Sequence, residues 1–239
     1  MATAAHVTSR RRGSRFYVAT AIASALIVFA GFARTFFLNS YFAKRDLTAL
    51  MILHGVIFSS WLVLLIVQAT LVAAKRTDVH RRLGVAGAAL AVLMIVVGFA
   101  IALHAARSGF VTPGLPPPLI FLVDPFFDIL VFTILVGAAF YYRGRPDVHK
   151  RLMIVATIAI LPPAIARIPL SFIAATLPVS AFLLGDLILV ACILYDVAVN
   201  RRLHRAYLWG GLLFVISFPL RMVVAGTSAW MSFAHWLAR

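Results

Sequence analysis

The sequence predicts an all-α membrane protein, a bundle of seven transmembrane helices with its N-terminus inside. The chain has 239 residues, of which 63% are hydrophobic and 12% charged, and its mean hydropathy is +1.02. Soluble domains average about 45–50% apolar and about 25% charged residues. The apolar residues form seven runs, each close to the ~20 residues with which a helix crosses a bilayer. This length fits one bundle without a second folded domain.

The elements follow from these runs in order. Residues 1–15 are polar and basic, and we expect a disordered cytoplasmic tail before a transmembrane domain over residues 16–239. The run 16–33 is longer than the ~7–15 residues of a signal-peptide core, so it predicts a retained first helix. The tail after residue 227 carries two tryptophans and either extends the last helix or lies in the membrane interface. The remaining predicted helices span residues 47–74, 83–106, 119–142, 151–175, 180–199 and 206–227.

Basic residues set the predicted orientation. The net charge of +15 comes mainly from loops on one side of the membrane, which the positive-inside rule makes the cytoplasmic side. No motif for nucleic-acid binding accompanies the charge, so the expected partners are the lipid bilayer and anionic lipid headgroups at the inner face. On the outer side, the segment 108–118 is rich in proline and glycine and cannot be helical throughout.

An internal repeat relates the inner loops. The stretch Arg76–Leu83 (RTDVHRRL) returns as Arg145–Leu152 (RPDVHKRL), with a weaker echo at Asn200–Arg205. Upstream, Phe127–Val131 (FDILV) and Gly185–Val190 (GDLILV) also correspond. The repeat predicts three helical hairpins of one type, formed by the second to seventh helices, with the first helix added.

Five ionisable residues lie in the outer half of the predicted helices, about 20–27 Å above the inner boundary. Such groups are costly in a membrane and mark functional sites by default. One interpretation is two structural ion pairs that fix helix packing. The other is a polar cavity, open to the outer side, that binds a small molecule or relays protons. Asp124 also fits a helix N-cap. The five residues are Asp124, Asp128, Asp186, Arg167 and Arg221.

Two histidines are candidate ligands for b-type haem or a metal ion. His54 and His104 lie at one predicted level on adjacent helices, and imidazole is a common ligand for both. In that hypothesis Trp61 lines the pocket, while Arg167 and Arg221 neutralise haem propionates or an anionic substrate. The alternative is an interfacial histidine hydrogen-bonded to a carboxylate, above all for His104.

Three further histidines mark the inner ends of helices. His80, His149 and His204 lie where the third, fifth and seventh helices begin. Asp78 and Asp147 precede the first two and are expected to be N-caps. The structural interpretation is headgroup anchoring, and the functional one is a cytoplasmic-side polar site for an anionic headgroup, a second haem or a metal.

Familiar catalytic motifs are absent from the sequence. It contains no GxSxG, HExxH, Walker or GxGxxG pattern, so whether the protein is an enzyme stays open. The single cysteine, Cys192, excludes an internal disulfide and a cysteine-rich metal site.

A family resemblance rests on the elements around three histidines. They resemble a group of uncharacterised bacterial inner-membrane proteins over residues 34–170, which implies that location but no activity. The second element is also similar to small multi-spanning proteins implicated in haem–copper oxidase assembly, which implies a respiratory setting. Of the candidate residues, His54, His80 and His149 match these patterns. The elements are Leu53-His54-Gly55 with Trp61, Gln68 and His80–Gly84 (HRRLG), and His149–Met153 (HKRLM).

Three functions are compatible with these residues. The first is a redox or respiratory-assembly protein that handles haem or a metal. The second is a small-molecule or proton-coupled transporter, or a membrane sensor, in which the Asp and Arg residues form the site and the repeats move against each other. The third is a structural or assembly subunit with membrane-protein partners and no ligand.

Overall fold

The computed structural model describes residues 2–109 and 116–239, with side chains from residue 15 onward. That part of the chain forms eleven α-helices and contains no β-strand. A π-helical turn over Ala33–Phe37 ends the first helix, and a 3₁₀ turn over Tyr142–Gly144 ends the fifth. The α-helices are α1 Ala2–Phe32, α2 Ala49–Ala73, α3 Thr77–Arg107, α4 Pro118–Phe121, α5 Val123–Tyr141, α6 Pro146–Ala159, α7 Pro162–Ile165, α8 Ser171–Ala175, α9 Val179–Asn200, α10 Arg205–Ala225 and α11 Ser228–Ala238.

Seven segments of the described chain are long and apolar enough to cross a membrane, which confirms the predicted all-α transmembrane bundle. Short helices complete two of them, because α4 precedes α5 and α7 follows α6. Large apolar side chains on the outer faces, such as Leu26, Val63 and Val223, are exposed and suit contact with lipid. The segments are Arg15–Phe37, Ala49–Ala73, Thr77–Arg107, Pro118–Gly144, Pro146–Ile165, Val179–Asn200 and Arg205–Ala225.

Helix α6 lies at the centre of the bundle, and two-thirds of the residues in its span are buried. It packs against α1, α5, α9 and α10, and Trp61 joins it to α2. Around it α1, α2, α3, α5, α10 and α9 follow one another, and the stacked rings of Phe16 and Tyr195 close the circle between α1 and α9. The predicted hairpins α2–α3, α5–α6 and α9–α10 each pack as pairs. They are not equivalent in position, because only one contributes the central helix.

The loops of the three hairpins lie at one end of the bundle, which we call the basic end. The His80 and His149 rings lie 6.3 Å apart, and the His204 Nε2 atom is 3.1 Å from the Asp147 carboxylate. These contacts bring together the loops over residues 74–76, 142–145 and 201–204. The other end, called here the opposite end, holds α4, α8 and α11.

Two predicted segments differ from the structure. Helix α1 begins at Ala2, so the residues expected to form a disordered tail are helical. Alanine and arginine favour helix, and no proline interrupts them. The predicted helix 151–175 is broken, since Pro162 and Pro163 lack the N–H groups that would continue α6. Most of the predicted non-helical segment 108–118, its residues 110–115, lies outside the described residues.

Candidate functional site

A buried arginine faces two carboxylates near the opposite end of the bundle. The Arg221 side chain on α10 is 1% exposed, and its Nη1 atom donates to Asp128 Oδ1 on α5 at 2.8 Å. The same Nη1 atom lies 3.5 Å from Asp124 Oδ1 and donates to the Asp124 carbonyl oxygen at 3.3 Å. Asp124 and Asp128 are four residues apart, so they share one face of α5. We call these three residues the Asp–Arg triad.

Backbone and aromatic contacts fix the guanidinium of the triad. Its Nε atom donates to the Ser217 carbonyl oxygen at 3.2 Å and Nη2 to Ser217 Oγ at 3.1 Å. The rings of Phe182 and Phe127 lie 4.4 Å and 5.6 Å from the guanidinium carbon, within the range of cation–π attraction. Pro219 lies inside α10 between Ser217 and Arg221, where it removes one backbone N–H donor from the helix.

The two carboxylates of the triad are not equivalent. Asp128 Oδ1 accepts a hydrogen bond from Arg221, whereas Asp124 Oδ1 is buried without a hydrogen bond in the described structure. The Asp124 side chain is 14% exposed and that of Asp128 is 9% exposed. Asp124 lies in the first turn of α5 and its side chain caps no helix, so the N-cap interpretation was wrong. Of the charged groups in the triad, its carboxylate lies nearest the opposite end of the bundle.

Helix α11 covers the opposite end above the triad. Trp230 is buried, donates from Nε1 to the Leu119 carbonyl oxygen at 3.0 Å, and packs against Phe126. A small apolar cluster, including Trp230, Val123 and Phe127, separates the triad from that end. The tail is therefore a separate helix packed on α4 rather than an extension of α10.

Arg167 and Asp186 do not join the triad. Arg167 follows the short helix α7, donates to the Pro163 carbonyl oxygen at 2.6 Å, and lies 4.9 Å from the Phe32 ring. Arg167 lies two residues beyond the end of the apolar span Pro146–Ile165, and the proline break comes just before that end. Asp186 on α9 is half-buried and forms no salt bridge within the described ranges.

A second buried ion pair, which the sequence analysis missed, joins α6 to α9. Arg151 Nε lies 3.1 Å from both carboxylate oxygens of Asp196, and Nη2 lies 2.7 Å from Oδ1. Asn200 also donates to Asp196, and Arg151 Nη1 donates to the Asp147 carbonyl oxygen at 2.6 Å. An acidic residue inside an apolar run, as Asp196 is, was the feature of the sequence from which this pair could have been predicted. The pair consists of one cation and one anion, and both side chains form hydrogen bonds.

The inner histidines form a polar layer at the basic end. His149 Nδ1 is 2.8 Å from the Ala139 carbonyl oxygen, whereas the buried His80 Nδ1 has no hydrogen-bond partner in the described part of the chain. His204 Nδ1 accepts from the Ala206 N–H, so Nε2 carries the proton that it donates to Asp147. The layer joins the loops of the three hairpins.

The predicted N-caps at this end were wrong. Asp78 and Asp147 lie in the first turns of α3 and α6, while Arg76 and Arg145 occupy the capping positions without capping side-chain bonds. In those first turns the carboxylates still face the positive end of the helix dipole.

The structure does not bring His54 and His104 together as a ligand pair. His54 is half-buried and its ring lies 4.2 Å from that of Phe58, while His104 is exposed, away from the buried face of α3. Trp61 is 2% exposed and donates to Thr157 Oγ1 at 3.3 Å, so it fills the core. Among the described residues no group of three His, Cys, Asp or Glu side chains is placed to hold a metal. No ring contact joins His54 to His104 in the described part of the chain, so the structure adds no support to the two-histidine hypothesis.

Two surface grooves lie apart from the triad. The larger, about 770 Å³, is at the basic end between α5 and α10. The smaller, about 270 Å³, is at the opposite end and is lined by Arg34, Arg45 and Arg167. Neither contains Asp128 or Arg221, so the predicted open cavity at these residues is not found in either groove.

The chain matches no protein-family model, no curated protein and no solved structure. Its fold is that of a polytopic membrane protein, and the described residues contain one unequal buried ion cluster, the Asp–Arg triad, and one balanced buried ion pair, Arg151–Asp196.

Proposed function

We propose that this protein is a proton-coupled transporter or a membrane sensor that responds to protons, with the Asp–Arg triad as its proton-binding site. One observation carries the proposal: two carboxylates face a single guanidinium in a buried position, and Asp124 Oδ1 lacks a hydrogen-bond donor. The proposed location is the bacterial inner membrane, supported by the family resemblance and by the excess of basic residues at one end.

The charge balance supports proton binding. With both carboxylates ionised the triad would carry one excess negative charge in a medium of low polarity. Isolated charges there cost several kcal/mol, whereas a paired or neutralised group avoids most of that cost. One proton shared by Asp124 and Asp128 removes the excess and provides the missing hydrogen on a carboxyl group. Two carboxylates this close titrate as a pair.

The Arg151–Asp196 pair supplies an internal comparison. It is equally buried and also joins two helices, but its charges balance and a short hydrogen bond joins them. Such a pair carries no excess charge for a proton to neutralise. Within one molecule, the balanced pair therefore represents a structural role, and the triad with its second carboxylate represents a proton-binding role.

The position of Asp124 supports a route for the proton. It is the carboxylate nearer the opposite end, where α4, α11 and the apolar cluster around Trp230 lie. A displacement of α11 would admit water to Asp124 while Asp128 keeps Arg221 in place. Proton release would thereby be coupled to the position of a helix, which is the requirement for a transporter or sensor.

A structural role is the second candidate, supported by the close packing around Arg221. All three nitrogens of its guanidinium have acceptors, and neither groove reaches it. A haem or metal role is not proposed, because His104 is exposed and no contact in the described structure supports a ligand pair with His54.

Infrared spectroscopy of the protein in lipid nanodiscs tests the proposal. A protonated carboxyl group absorbs separately from a carboxylate, so we expect a carboxyl band at neutral pH that Asp124→Asn removes. Asp147→Asn is the control, because that carboxylate is 62% exposed. If Asp124→Asn leaves the carboxyl region of the infrared spectrum unchanged, the triad is structural.

Proteoliposomes loaded with a pH-sensitive dye distinguish a transporter from a sensor. Under a proton gradient a transporter acidifies the lumen, whereas a sensor leaves the pH of the lumen unchanged.

A further inference from the structure

A groove between α5 and α10 at the basic end combines positive charge with an apolar floor. Its mouth is formed by the 3₁₀ turn after α5 and by the loop before α10, and it contains Arg145, Arg202 and Arg205. Within the described residues none of these three arginines forms a salt bridge, and all three are exposed. The nearby carboxylate, Asp147, already accepts from His204. The mouth of the groove therefore has an excess of positive charge.

The body of the groove is apolar and extends into the membrane-spanning region. Ile134 and Ala138 line it from α5, and Leu213 lines it from α10. Leu213 lies eight residues beyond Arg205, a rise of about 12 Å along the helix. One leaflet of hydrocarbon is about 15 Å thick. The groove thus begins at the level of lipid headgroups and follows most of the depth of one leaflet.

Two features define the floor and the border of the groove. Gly210 forms part of its floor, and a Cβ atom there would lie 3.3 Å from the Leu135 and Leu152 side chains, so the missing side chain lets α10 pack closely on α5 and α6 beneath the groove. Trp209 borders the groove and is 69% exposed, although a large indole in contact with water is unfavourable. Tryptophan is favoured where an apolar body meets polar headgroups.

We propose that this groove is a binding site for an anionic phospholipid. The phosphate and headgroup would bind Arg145, Arg202 and Arg205, and one acyl chain would lie against Ile134, Ala138 and Leu213. Basic pockets between transmembrane helices on the cytoplasmic side bind anionic headgroups by this chemistry. The general preference of basic loops for headgroups does not require a groove, whereas this proposal assigns one lipid to one place. It does not rest on the Asp–Arg triad.

Brominated lipids test the site, because bromine on an acyl chain quenches a tryptophan that it touches. The protein is placed in nanodiscs containing a small fraction of brominated phosphatidylglycerol or brominated phosphatidylcholine. The difference in fluorescence between the wild type and Trp209→Phe gives the Trp209 signal. We expect phosphatidylglycerol to quench this signal at a concentration at least about fivefold lower, the effect of one basic residue near a membrane surface.

Two variants and one matched control decide the outcome. Replacing Arg145, Arg202 and Arg205 by Gln removes the charge at the mouth, and Ala138→Phe fills the apolar body. Both should abolish the lipid preference at Trp209. Replacing Arg76, Arg81 and Arg82 by Gln removes the same charge from the α2–α3 loop and should preserve it. Equal losses in both triple variants, no effect of Ala138→Phe, or no preference in the wild type would overturn the proposal. Displacement by inorganic phosphate alone would also overturn it, because the site would then need no acyl chain.

Discussion

Arg221 on α10 donates a 2.8 Å hydrogen bond to Asp128 on α5, across 93 positions of the sequence. The two side chains are almost fully buried, and the bond connects two helices that both pack against the central α6. Asp124 lies beside this pair as a second carboxylate without a second cation. The pair can therefore hold helices together while the additional carboxylate binds a proton.

Asp124→Asn and Asp128→Asn should have unequal effects on stability. Asp124→Asn leaves one cation with one anion, the same charge balance as the protonated wild type, so the free energy of unfolding should stay within about 1 kcal/mol of the wild type. Asp128→Asn removes the closest partner of a buried cation, a class of change that costs about 3–5 kcal/mol, although Asp124 would offset part of it. Thermal unfolding in detergent measures both variants. A thiol-reactive dye can report it without engineering, because the single cysteine, Cys192, is 4% exposed in the fold.

The pH dependence of the same unfolding curves identifies the residue that binds the proton. If the folded triad holds a proton that the unfolded chain releases at neutral pH, the folded state becomes less stable as pH rises. The wild type should show this slope, and Asp124→Asn should lose it. Asp147→Asn is again the control. An equal slope in Asp124→Asn would assign the titration to another group.

The balanced pair Arg151–Asp196 should behave as a structural unit. Asp196→Asn or Arg151→Gln leaves a buried charge without its partner and should cost about 3–5 kcal/mol of unfolding free energy. The double change Arg151→Met with Asp196→Leu removes both charges and should recover most of that loss. A double variant as unstable as the sum of the single variants would show that Arg151 and Asp196 contribute independently and not as a pair. Thermal unfolding in detergent is the measurement.

The sequence predicted the transmembrane spans well because the thickness of the bilayer sets the same minimum length of apolar helix for every span. A run of about 20 apolar residues bounded by basic residues has few alternatives to a transmembrane helix. Asp124, Asp128 and Arg221 were also found as candidates, since ionisable residues are rare in such runs. Composition and spacing suffice for these conclusions because they depend on single helices.

Pairing between helices could not be predicted, because it depends on how each helix is rotated, tilted or broken. Arg167 and Arg221 looked alike in the sequence, but the Pro162–Pro163 break removes only Arg167 from the bundle. Asp196 went unnoticed because its partner, Arg151, resembled one more basic loop residue. His54 and His104 shared a predicted depth, but the rotation of α3 turns His104 outward. A shared depth in the membrane does not show that two side chains on different helices face each other, which a pair of ligands requires.

His104→Ala should leave both stability and spectrum unchanged. The side chain is exposed on α3, and substitutions at such sites usually change the free energy of unfolding by less than about 0.5 kcal/mol. The absorption spectrum of the purified protein, before and after reduction, is recorded for the wild type, His54→Ala and His104→Ala. A haem band in the wild type that disappears in both variants would contradict the structure by making the two histidines ligands of one iron.

Gly31→Ala should destabilise the bundle, whereas Gly137→Ala should not. A Cβ atom at Gly31 on α1 would overlap the backbone carbonyl oxygen of Ala164 on α7, and backbone cannot move aside as a side chain can. The expected loss of unfolding free energy is about 1–3 kcal/mol, typical of overpacking.

At Gly137, which is exposed on α5, an added Cβ meets no atom within 4 Å. Alanine there should add up to about 1 kcal/mol through its higher helix propensity. Thermal unfolding of the two variants under one condition makes the comparison. Equal effects would mean that α1 does not approach α7 as closely as described, and the position of α1 around the central helix α6 would then be wrong.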